Sequence, residues 1–440
     1  MKVKVESSKI LKPLCEGYYP STDHAYIPLS VFDTVTFDTH VAVLYAFRPP
    51  SPSNSAIQSG LARALAVYRE WAGRLGADED GNPVILLNDE GVRLVEASVD
   101  LPLCRAVPFK PSAALLSLHP GVDGVAELVQ VQLTRFACGS LVVGFTAHHH
   151  VADGHATSNF LVAWGLASRG LAIPPRSPLR DRATLFAPRD PPRVEFEHRG
   201  VEFTTRKQLA VLKDENPSDG NPPDIAVHKA HFTREFLTSL KAKASLGAHR
   251  QFTTFECLVA HLWRAVTKAR TLPNHQITFL RISVNGRMRI KPRVPKEFFG
   301  NCVLWAFPRA AAGELVSRPL RHAAGLIHEA VAGVDDAYFR SFVDFASSGG
   351  AKAEGLVPTA EAAKVVMCPN LELDSWLGFP FYDLDFGGGS PFYFMPTYSP
   401  MEGTLFLLPS FMGDGSVEAY VSLFDHSMAS FKRICHSLDY

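Results

Sequence analysis

The sequence predicts a mixed α/β or α+β fold with two domains. The chain has 440 residues, which is more than one hydrophobic core ordinarily supports. Strand-like and helix-like patterns occur in both halves, but they do not alternate regularly as in a doubly wound sheet. We therefore expect one domain over residues 1–185 and a second over residues 227–440, joined by a crossover loop over residues 186–226.

The first half carries strand and helix patterns in turn. Residues 1–8 alternate polar and apolar side chains, which predicts a strand. Apolar residues at helical spacing follow a turn-forming Ser-Pro-Ser-Asn sequence and predict a helix over residues 57–75. Residues 140–147 form a short apolar run rich in valine, as in a buried strand, and the periodic residues 155–166 predict a helix after it. These patterns predict strands and helices mixed within one domain.

Prolines and charged residues over residues 187–226 predict the long crossover between domains. The second half then begins with a predicted helix over residues 232–244. The best-marked helix covers residues 254–270, because Thr253 and Glu256 have the spacing of a capping box and apolar residues form one face. Strands are predicted at residues 277–284, 404–408 and 417–423, with a tight turn at residues 412–416.

The composition argues against a nucleic-acid or membrane protein. Lysine plus arginine equals aspartate plus glutamate at 44 each, so no net charge draws the chain to nucleic acid or anionic lipid. The apolar runs are too short to cross a bilayer, and the first residues lack the apolar stretch of a signal peptide. The 7 cysteines are scattered without a Cys-x-x-Cys pair, which indicates reduced thiols. We therefore expect a cytoplasmic protein without nucleic-acid or membrane partners.

Residues 148–154 read His-His-His-Val-Ala-Asp-Gly, between the predicted buried strand and its helix. A histidine at a strand end can act as a general base near neutral pH. The three histidines and the aspartate also suggest a zinc site, but neighbouring strand residues point in opposite directions and converge poorly on one ion. We expect His148 and His150 to point away from His149, and we expect no metal. The chain has no Gly-x-Ser-x-Gly elbow, Walker A loop or convincing dinucleotide fingerprint, which disfavours hydrolases and nucleotide-binding enzymes.

Two motifs and several flanking segments occur in a fixed order along the chain. Residues 149–154 have the form His-x-x-x-Asp-Gly, and residues 385–389 read Asp-Phe-Gly-Gly-Gly. The flanking segments are residues 71–75, 260–264, 284–289 with 299–301, and 375–382. Together they resemble the BAHD family of plant acyl-CoA-dependent acyltransferases, whose second motif is Asp-Phe-Gly-Trp-Gly. Gly388 replaces that tryptophan, and three successive glycines are expected to make the loop more flexible.

The resemblance implies both a fold and catalytic roles. The fold would resemble chloramphenicol acetyltransferase, with two similar-sized domains of mixed sheets and helices and a channel between them. His149 would be the general base that takes the acceptor proton and passes it to the sulfur of CoA, without a covalent intermediate. Asp153 could pair with the base as in a serine-hydrolase triad, but the resemblance favours a role in holding the loop through an ion pair with Arg287. Gly154 would supply backbone freedom for the turn. Structural roles would fall to Asp385, Gly387 and Gly389.

Two carboxylates precede the second motif. Strand alternation predicts that Glu372 and Asp374 share one face, close to Trp376. At an acceptor pocket they would attract a cationic amine, whereas the alternatives are a solvated strand face or carboxylates that hold a loop by ion pairs. This segment also resembles the amine-acylating branch of the family, which joins hydroxycinnamoyl groups to agmatine, putrescine, tryptamine or similar amines. The alternative function is an O-acyltransferase that makes hydroxycinnamoyl esters of shikimate or quinate.

The residues that contact coenzyme A are the hardest to predict from the sequence. Phosphates require cations or backbone donors, and Lys268 and Arg270 at a helix end are candidates. Cations at that position also interact favourably with the helix dipole. We expect acyl-CoA as a co-substrate, with no permanently bound cofactor. A single chain would complete this site, so we expect a monomer.

Overall fold

Two large mixed sheets, each packed with helices, make up most of the molecule. The computed structural model describes residues 1–15, 26–106, 110–122, 124–174, 178–214, 224–361 and 366–438. Within these ranges the strands are β1 (Lys4–Leu11), β2 (Tyr26–Pro28), β3 (His40–Phe47), β4 (Arg74–Ala77), β5 (Pro83–Leu86), β6 (Val92–Val99), β7 (Val129–Phe136), β8 (Leu141–His148), β9 (Phe203–Thr205), β10 (Ile225–Phe232), β11 (Ile277–Asn285), β12 (Val303–Ala306), β13 (Arg309–Ala311), β14 (Leu356–Pro358), β15 (Leu371–Ser375), β16 (Tyr393–Pro396), β17 (Thr404–Pro409) and β18 (Val417–Phe424).

The helices lie between these strands along the chain, without a regular alternation of helix and strand. They are α1 (Val31–Val35), α2 (Asn54–Val67), α3 (Leu103–Ala106), α4 (Gly154–Ser168), α5 (Arg182–Leu185), α6 (Arg206–Asp214), α7 (Arg234–Ser245), α8 (Thr254–Ala269), α9 (Ala312–Ser317), α10 (Leu320–Gly333), α11 (Asp336–Ser347), α12 (Gly350–Ala353) and α13 (Asp425–Ile434). In the described part of the chain, no helix combines the length and the apolar character that a membrane span needs.

The first sheet positions the His-x-x-x-Asp turn. Its strand order is β1-β6-β7-β8-β3-β16, in which β6 and β7 are parallel and the other neighbours are antiparallel. Every residue of β8 is buried, in keeping with its almost continuous apolar sequence. Because β8 lies between β7 and β3 and ends at His148, the turn that follows starts from a rigid point of the sheet.

The second sheet presents an apolar face and a polar face. Its strand order is β10-β18-β17-β15-β11-β12, and β13 also pairs with β11. Alternate residues such as Ile282 and Leu373 are buried in the core that contains α8. The intervening residues, such as Arg281 and Glu372, pair in register on the opposite face. This alternation places charged side chains on the face away from α8.

The two halves of the chain exchange short segments. Strand β16, from the second half, pairs with β3 of the first sheet from Tyr393 with Ala46 to Pro396 with Val43. In the other direction, Phe32 of α1 is fully buried in the core of the second half. Each half of the chain therefore contributes a segment to the sheet or core of the other.

Most predicted elements are confirmed, to within two residues at either end. These are the helices at 155–166, 232–244 and 254–270 and the strands at 140–147, 277–284, 404–408 and 417–423, which are α4, α7, α8, β8, β11, β17 and β18. The capping box of Thr253 and Glu256 is also present. Long, regular periodicity and a marked helix start therefore gave reliable predictions in this chain.

The helix predicted over residues 57–75 is shorter than expected. Helix α2 ends at Val67, Tyr68 has φ −105° and ψ 63°, and a 3-10 turn over Arg69–Ala72 leads into β4. Tyr68 and Trp71 are buried all the same. The apolar residues keep their helical spacing beyond the end of α2 because the 3-10 turn also buries apolar side chains.

The crossover predicted as a loop over residues 186–226 is partly regular. Strand β9 pairs with β14, and α6 follows with Thr205 Oγ1 accepting a hydrogen bond from the Gln208 backbone at 3.2 Å. This cap explains why a helix begins within a charged segment. Residues 215–223, which carry several of the turn-forming residues, lie outside the described residues.

Candidate active site between the two sheets

His149 lies directly after β8, in the turn that leads to α4. Its backbone N–H donates to Thr39 O at 2.9 Å, and its ring Nδ1 lies 3.3 Å from Thr36 Oγ1. The tautomer with hydrogen on Nδ1 satisfies this contact and leaves the lone pair on Nε2. Burial lowers the pKa of His149, although Asp153 and Asp374 act in the opposite direction. The imidazole is therefore neutral at pH 7 and able to accept a proton.

Both carboxylate oxygens of Asp153 accept hydrogen bonds from groups other than His149. Oδ1 accepts from the Ala156 backbone at 3.0 Å and from Arg287 Nη2 at 3.1 Å. Oδ2 accepts from Arg287 Nη1 at 2.7 Å and from the Cys302 backbone at 3.0 Å. Burial alone would raise the pKa of Asp153, but Arg287 and the backbone donors outweigh it, so the pKa is lowered. The structure thus brings Asp153 and Arg287 together as a buried ion pair that joins the turn to the second half.

Gly154 was expected to provide backbone freedom, and this interpretation is wrong. Gly154 is the first residue of α4 and is not among the glycines with positive φ. A Cβ at this position would lie 2.7 Å from Cε2 of Phe379. The position therefore requires a glycine for space rather than for conformation.

The neighbouring histidines lie together at a separate cluster with Asp38. His148 Nε2 lies 3.3 Å and His150 Nδ1 lies 3.7 Å from Asp38 Oδ1, and these ligand-type atoms all lie within 4.8 Å of one another. His148 Nδ1 also accepts a hydrogen bond from the His150 backbone at 3.3 Å, so its Nε2 carries the hydrogen and donates toward Asp38. Burial lowers the pKa of His148 to about 4. These contacts account for both imidazoles as hydrogen-bonded side chains beside the turn.

A second buried network was missed from the sequence. Asp33 is fully buried and accepts hydrogen bonds from Arg182 Nε at 2.9 Å and from Asn301 Nδ2 at 2.9 Å. Asn301 Nδ2 also donates to His149 O at 2.9 Å, and Arg182 Nη2 donates to Val151 O at 3.2 Å. Asn301 belongs to one of the family-like segments, which was the available signal, but its contact with the turn could not be read from sequence.

The polar face of the second sheet carries Glu372 and Asp374. Glu372 pairs in register with Arg281 of β11, and Arg281 Nη1 lies 3.7 Å from Glu372 Oε2. Asp374 accepts a short hydrogen bond from Ser283 Oγ. Burial raises the pKa of Glu372 to about 6, with Arg281 opposing and Asp374 reinforcing the shift. Asp374 also acts on the pKa of His149, which links the polar face of the second sheet to the base.

Trp376 lies at the end of the same strand, among aromatic rings. Its backbone N–H donates to Leu407 O at 2.8 Å. Its ring centroid lies 5.2 Å from that of Phe406, 5.6 Å from Phe381 and 5.8 Å from Phe394. Trp376 thus belongs to an apolar wall that continues from the acidic strand toward the first sheet.

The Asp-Phe-Gly-Gly-Gly segment packs against the helix that follows the catalytic turn. Asp385 Oδ1 accepts from the backbones of Gly387 at 2.7 Å and Gly389 at 2.9 Å, and Oδ2 lies 3.3 Å from Arg169 Nη1 at the end of α4. These two glycines have positive φ values of 109° and 97°, which a residue with a side chain adopts only with strain. The segment therefore supports α4 at a distance from the base.

Gly388 is packed rather than open. A Cβ at Gly388 would lie 2.4 Å from Pro50 O. The missing side chain lets the loop lie directly on the backbone before α2.

The two candidates for coenzyme A contacts differ in their surroundings. Lys268 is exposed on α8. Arg270 is buried, with Nε and Nη2 donating to Glu402 Oε1 at 2.9 and 2.7 Å and Nη1 donating to the carbonyls of Pro369 and Asn370, each at 3.0 Å. All three guanidinium nitrogens of Arg270 thus donate to segments beside β15, which leaves none of them available to a phosphate.

A model of the transferase family matches residues 1–437 of the chain. The chain belongs to this family. The resemblance to the BAHD enzymes is thereby confirmed, and the chain is an acyltransferase of that family.

Curated relatives of this BAHD chain match over its full length. It is 55% identical to agmatine hydroxycinnamoyltransferase 1 of Oryza sativa subsp. japonica, covering 100% of this chain and 99% of the relative. It is 54% identical to agmatine coumaroyltransferase-1 of Hordeum vulgare, covering 100% of both. Shikimate O-hydroxycinnamoyltransferase of Nicotiana tabacum is 34% identical, covering 99% of this chain and 100% of the relative.

Solved structures share the architecture of the BAHD chain. Vinorine synthase superposes with a TM-score of 0.73 at 22% identity, over 98% of this chain and 96% of that one. TRI101 of F. graminearum, complexed with coenzyme A and deoxynivalenol, gives a TM-score of 0.77 at 16% identity, over 93% of this chain and 97% of that one. These likenesses confirm the predicted mixed two-domain fold class.

Proposed function

We propose that this enzyme transfers a hydroxycinnamoyl or related aromatic acyl group from a CoA thioester to a primary amine such as agmatine or putrescine. The observation that carries the proposal is the pair of half-buried carboxylates, Glu372 and Asp374, on one strand face, where Asp374 acts on the neutral, half-buried imidazole of His149. A cationic acceptor offsets the unfavourable burial of two like charges, whereas a neutral alcohol does not. The names of the two agmatine relatives support the same acceptor class.

His149 is the proposed general base. An alkylamine is protonated at neutral pH, with a pKa near ~10, and only its neutral form attacks a thioester. The ammonium must therefore release one proton to solvent before attack, and the amine nitrogen loses a second proton as the amide forms. His149 Nε2 accepts the proton released on attack, and the resulting imidazolium donates it to the departing CoA sulfur. The acyl group passes directly to nitrogen, so no enzyme-bound ester is needed.

The other predicted residues have supporting roles in this proposal. Asp153 and Arg287 hold the turn, and the Asp385 segment with Gly387 and Gly389 supports α4. Glu372 and Asp374 bind the cationic end of the acceptor, with Trp376 as part of the adjoining wall. Lys268 is kept as a candidate contact for CoA phosphates. We further propose that acyl-CoA is a co-substrate, as suggested by the coenzyme A complex of the TRI101 structure, and that the enzyme acts as a cytoplasmic monomer without metal, nucleic-acid or membrane partners.

The base assignment is tested by His149→Ala. Loss of general base catalysis should lower kcat about 10²- to 10⁴-fold, while circular dichroism and thermal unfolding remain close to the parent. His150→Ala is the matched control, because His150 contacts Asp38 rather than the polar face of the second sheet. A rate in His149→Ala equal to that of the control would refute the assignment.

The acceptor class is tested with p-coumaroyl-CoA and a panel of acceptors. Agmatine, putrescine and tryptamine represent amines, and shikimate and quinate represent alcohols. We expect amide products with agmatine or putrescine at the highest kcat/KM, identified by mass. Shikimate or quinate outcompeting every amine would overturn the amine proposal and favour the O-acyltransferase alternative.

A further inference from the structure

The acceptor face of the second sheet carries a third charge that the proposed chemistry does not use. Arg281 of β11 is 8% exposed and lies opposite Glu372 in the strand register. Its only described ion pair is the 3.7 Å contact between Nη1 and Glu372 Oε2. Nε and Nη2 are buried and have no hydrogen-bond partner among the residues that the structure describes. Arg281 is thus a buried cation held by one ion pair and by no side-chain hydrogen bond among the described residues.

Aromatic rings hold this guanidinium in place. Its Cζ lies 4.0 Å from the ring centroid of Trp305 and 5.0 Å from that of Phe37. Such cation–π contacts fix the position of a guanidinium while leaving its N–H groups available. The ring of Phe37 also lies 6.1 Å from the ring of His149. One aromatic side chain therefore contacts both the guanidinium and the base.

The charges around the acceptor position can be counted from these contacts. Glu372 and Asp374 on β15 contribute two negative charges, and Arg281 on β11 contributes one positive charge. His149, in the turn after β8, is neutral at pH 7, and the charge of Asp153 is compensated by Arg287. The pocket therefore carries one net negative charge rather than two.

We propose that Arg281 is a specificity-determining residue that limits the acceptor pocket to one net negative charge, so that the pocket holds one distal cation and leaves the attacking nitrogen neutral. This inference rests on the proposed amine acylation. Agmatine and putrescine each carry two basic groups, and only one of them can remain charged in a productive complex. A pocket with two net negative charges would stabilise both cations and would retain the attacking nitrogen in its unreactive ammonium form.

The test is Arg281→Met, which removes the charge while keeping a long apolar side chain against Trp305 and Phe37. Each pKa unit gained by the bound amine lowers its neutral fraction about tenfold. We expect the KM for agmatine and the kcat at pH 7 to fall together, each by about tenfold, so that kcat/KM changes little. The alkaline rise of kcat with pH should move upward by about one unit.

Two further variants separate charge from packing. Arg281→Lys keeps the positive charge and should keep the pH profile of the parent, even if the weaker stacking lowers the rate. Arg309→Met is a matched control, because Arg309 is an exposed arginine on β13, which pairs with the same strand β11. It should leave kcat, KM and the pH profile unchanged.

The outcomes distinguish this inference from the proposed function. If the parent enzyme acylates only alcohols, the amine function is refuted irrespective of Arg281. If the parent acylates amines but Arg281→Met lowers kcat/KM with an unshifted pH profile, Arg281 is a packing residue and the charge inference is overturned. The inference is supported only if Arg281→Met lowers KM and kcat together and shifts the pH profile upward, and if Arg281→Lys keeps the pH profile of the parent.

Discussion

The ion pair between Asp153 and Arg287 should matter more to the fold of the catalytic turn than to proton transfer. Asp153→Asn tests this, because the amide replaces one acceptor oxygen by an NH2 group. That group would face either the Ala156 N–H and Arg287 Nη2 or Arg287 Nη1 and the Cys302 N–H. Two donors lose an acceptor, and Arg287 becomes an uncompensated charge with a side chain only 3% exposed. Breaking such a buried pair costs about 3–5 kcal/mol of unfolding free energy.

The assay is chemical and thermal unfolding of the parent and Asp153→Asn, together with pH–rate profiles of both. We expect a lower unfolding midpoint for the variant and an unchanged pH optimum for whatever activity remains. Asp385→Asn is the matched control, since its partner Arg169 is 32% exposed at a 3.3 Å contact, and its loss should cost less than about 1 kcal/mol. A variant that unfolds like the parent but acts with a displaced pH optimum would show that Asp153 belongs to the catalytic proton relay, and would refute the structural role.

Three other perturbations follow from the same geometry. Gly154→Ala should destabilise the enzyme by about 1–3 kcal/mol, because the new methyl group would meet Phe379 at 2.7 Å. Unfolding measurements on the double variant Gly154→Ala with Phe379→Leu should show partial recovery of stability. An equal loss of stability in the single and the double variant would contradict the steric reason. Gly388→Trp, which restores the residue usual in the family, should lower the unfolding midpoint rather than raise it, because its Cβ would lie 2.4 Å from Pro50 O. The KM for agmatine should rise as pH falls through about 6, because Glu372 has a pKa raised to about 6 and loses its negative charge on protonation. Steady-state kinetics of Glu372→Gln, in which this rise should be absent, checks that prediction.

The sequence predicted the elements whose side-chain pattern is set locally. Helix α8 was predicted to within one residue because a capping box marks its start and an apolar face runs along it. Helix α2 was predicted too long, since periodicity does not distinguish a buried 3-10 turn from a further helical turn. The pairing of β16 with β3 could not be predicted, because four residues far along the chain carry no local signal of their partner.

The same distinction holds for the candidate site. His149 and Asp153 could be predicted from the sequence because strand, turn and helix follow one another within a few residues. Alternation likewise placed Glu372 and Asp374 on one face of β15. The sequence could not predict the network of Asp33, Arg182 and Asn301, because its hydrogen bonds join residues more than a hundred positions apart. Arg281 was missed for a related reason, since its significance depends on the register of β11 with β15.

The exchange of segments between the halves bears on how substrates reach the base. Strand β16 is hydrogen-bonded into the first sheet through its pairing with β3, while β17, which follows it in the chain, belongs to the second sheet. Wide hinge opening between the halves would strain or break this backbone tether. Access to His149 should therefore depend on side-chain and loop rearrangements along a fixed passage, and the length and width of an acyl group, rather than the ease of opening two lobes, should limit which donors are accepted.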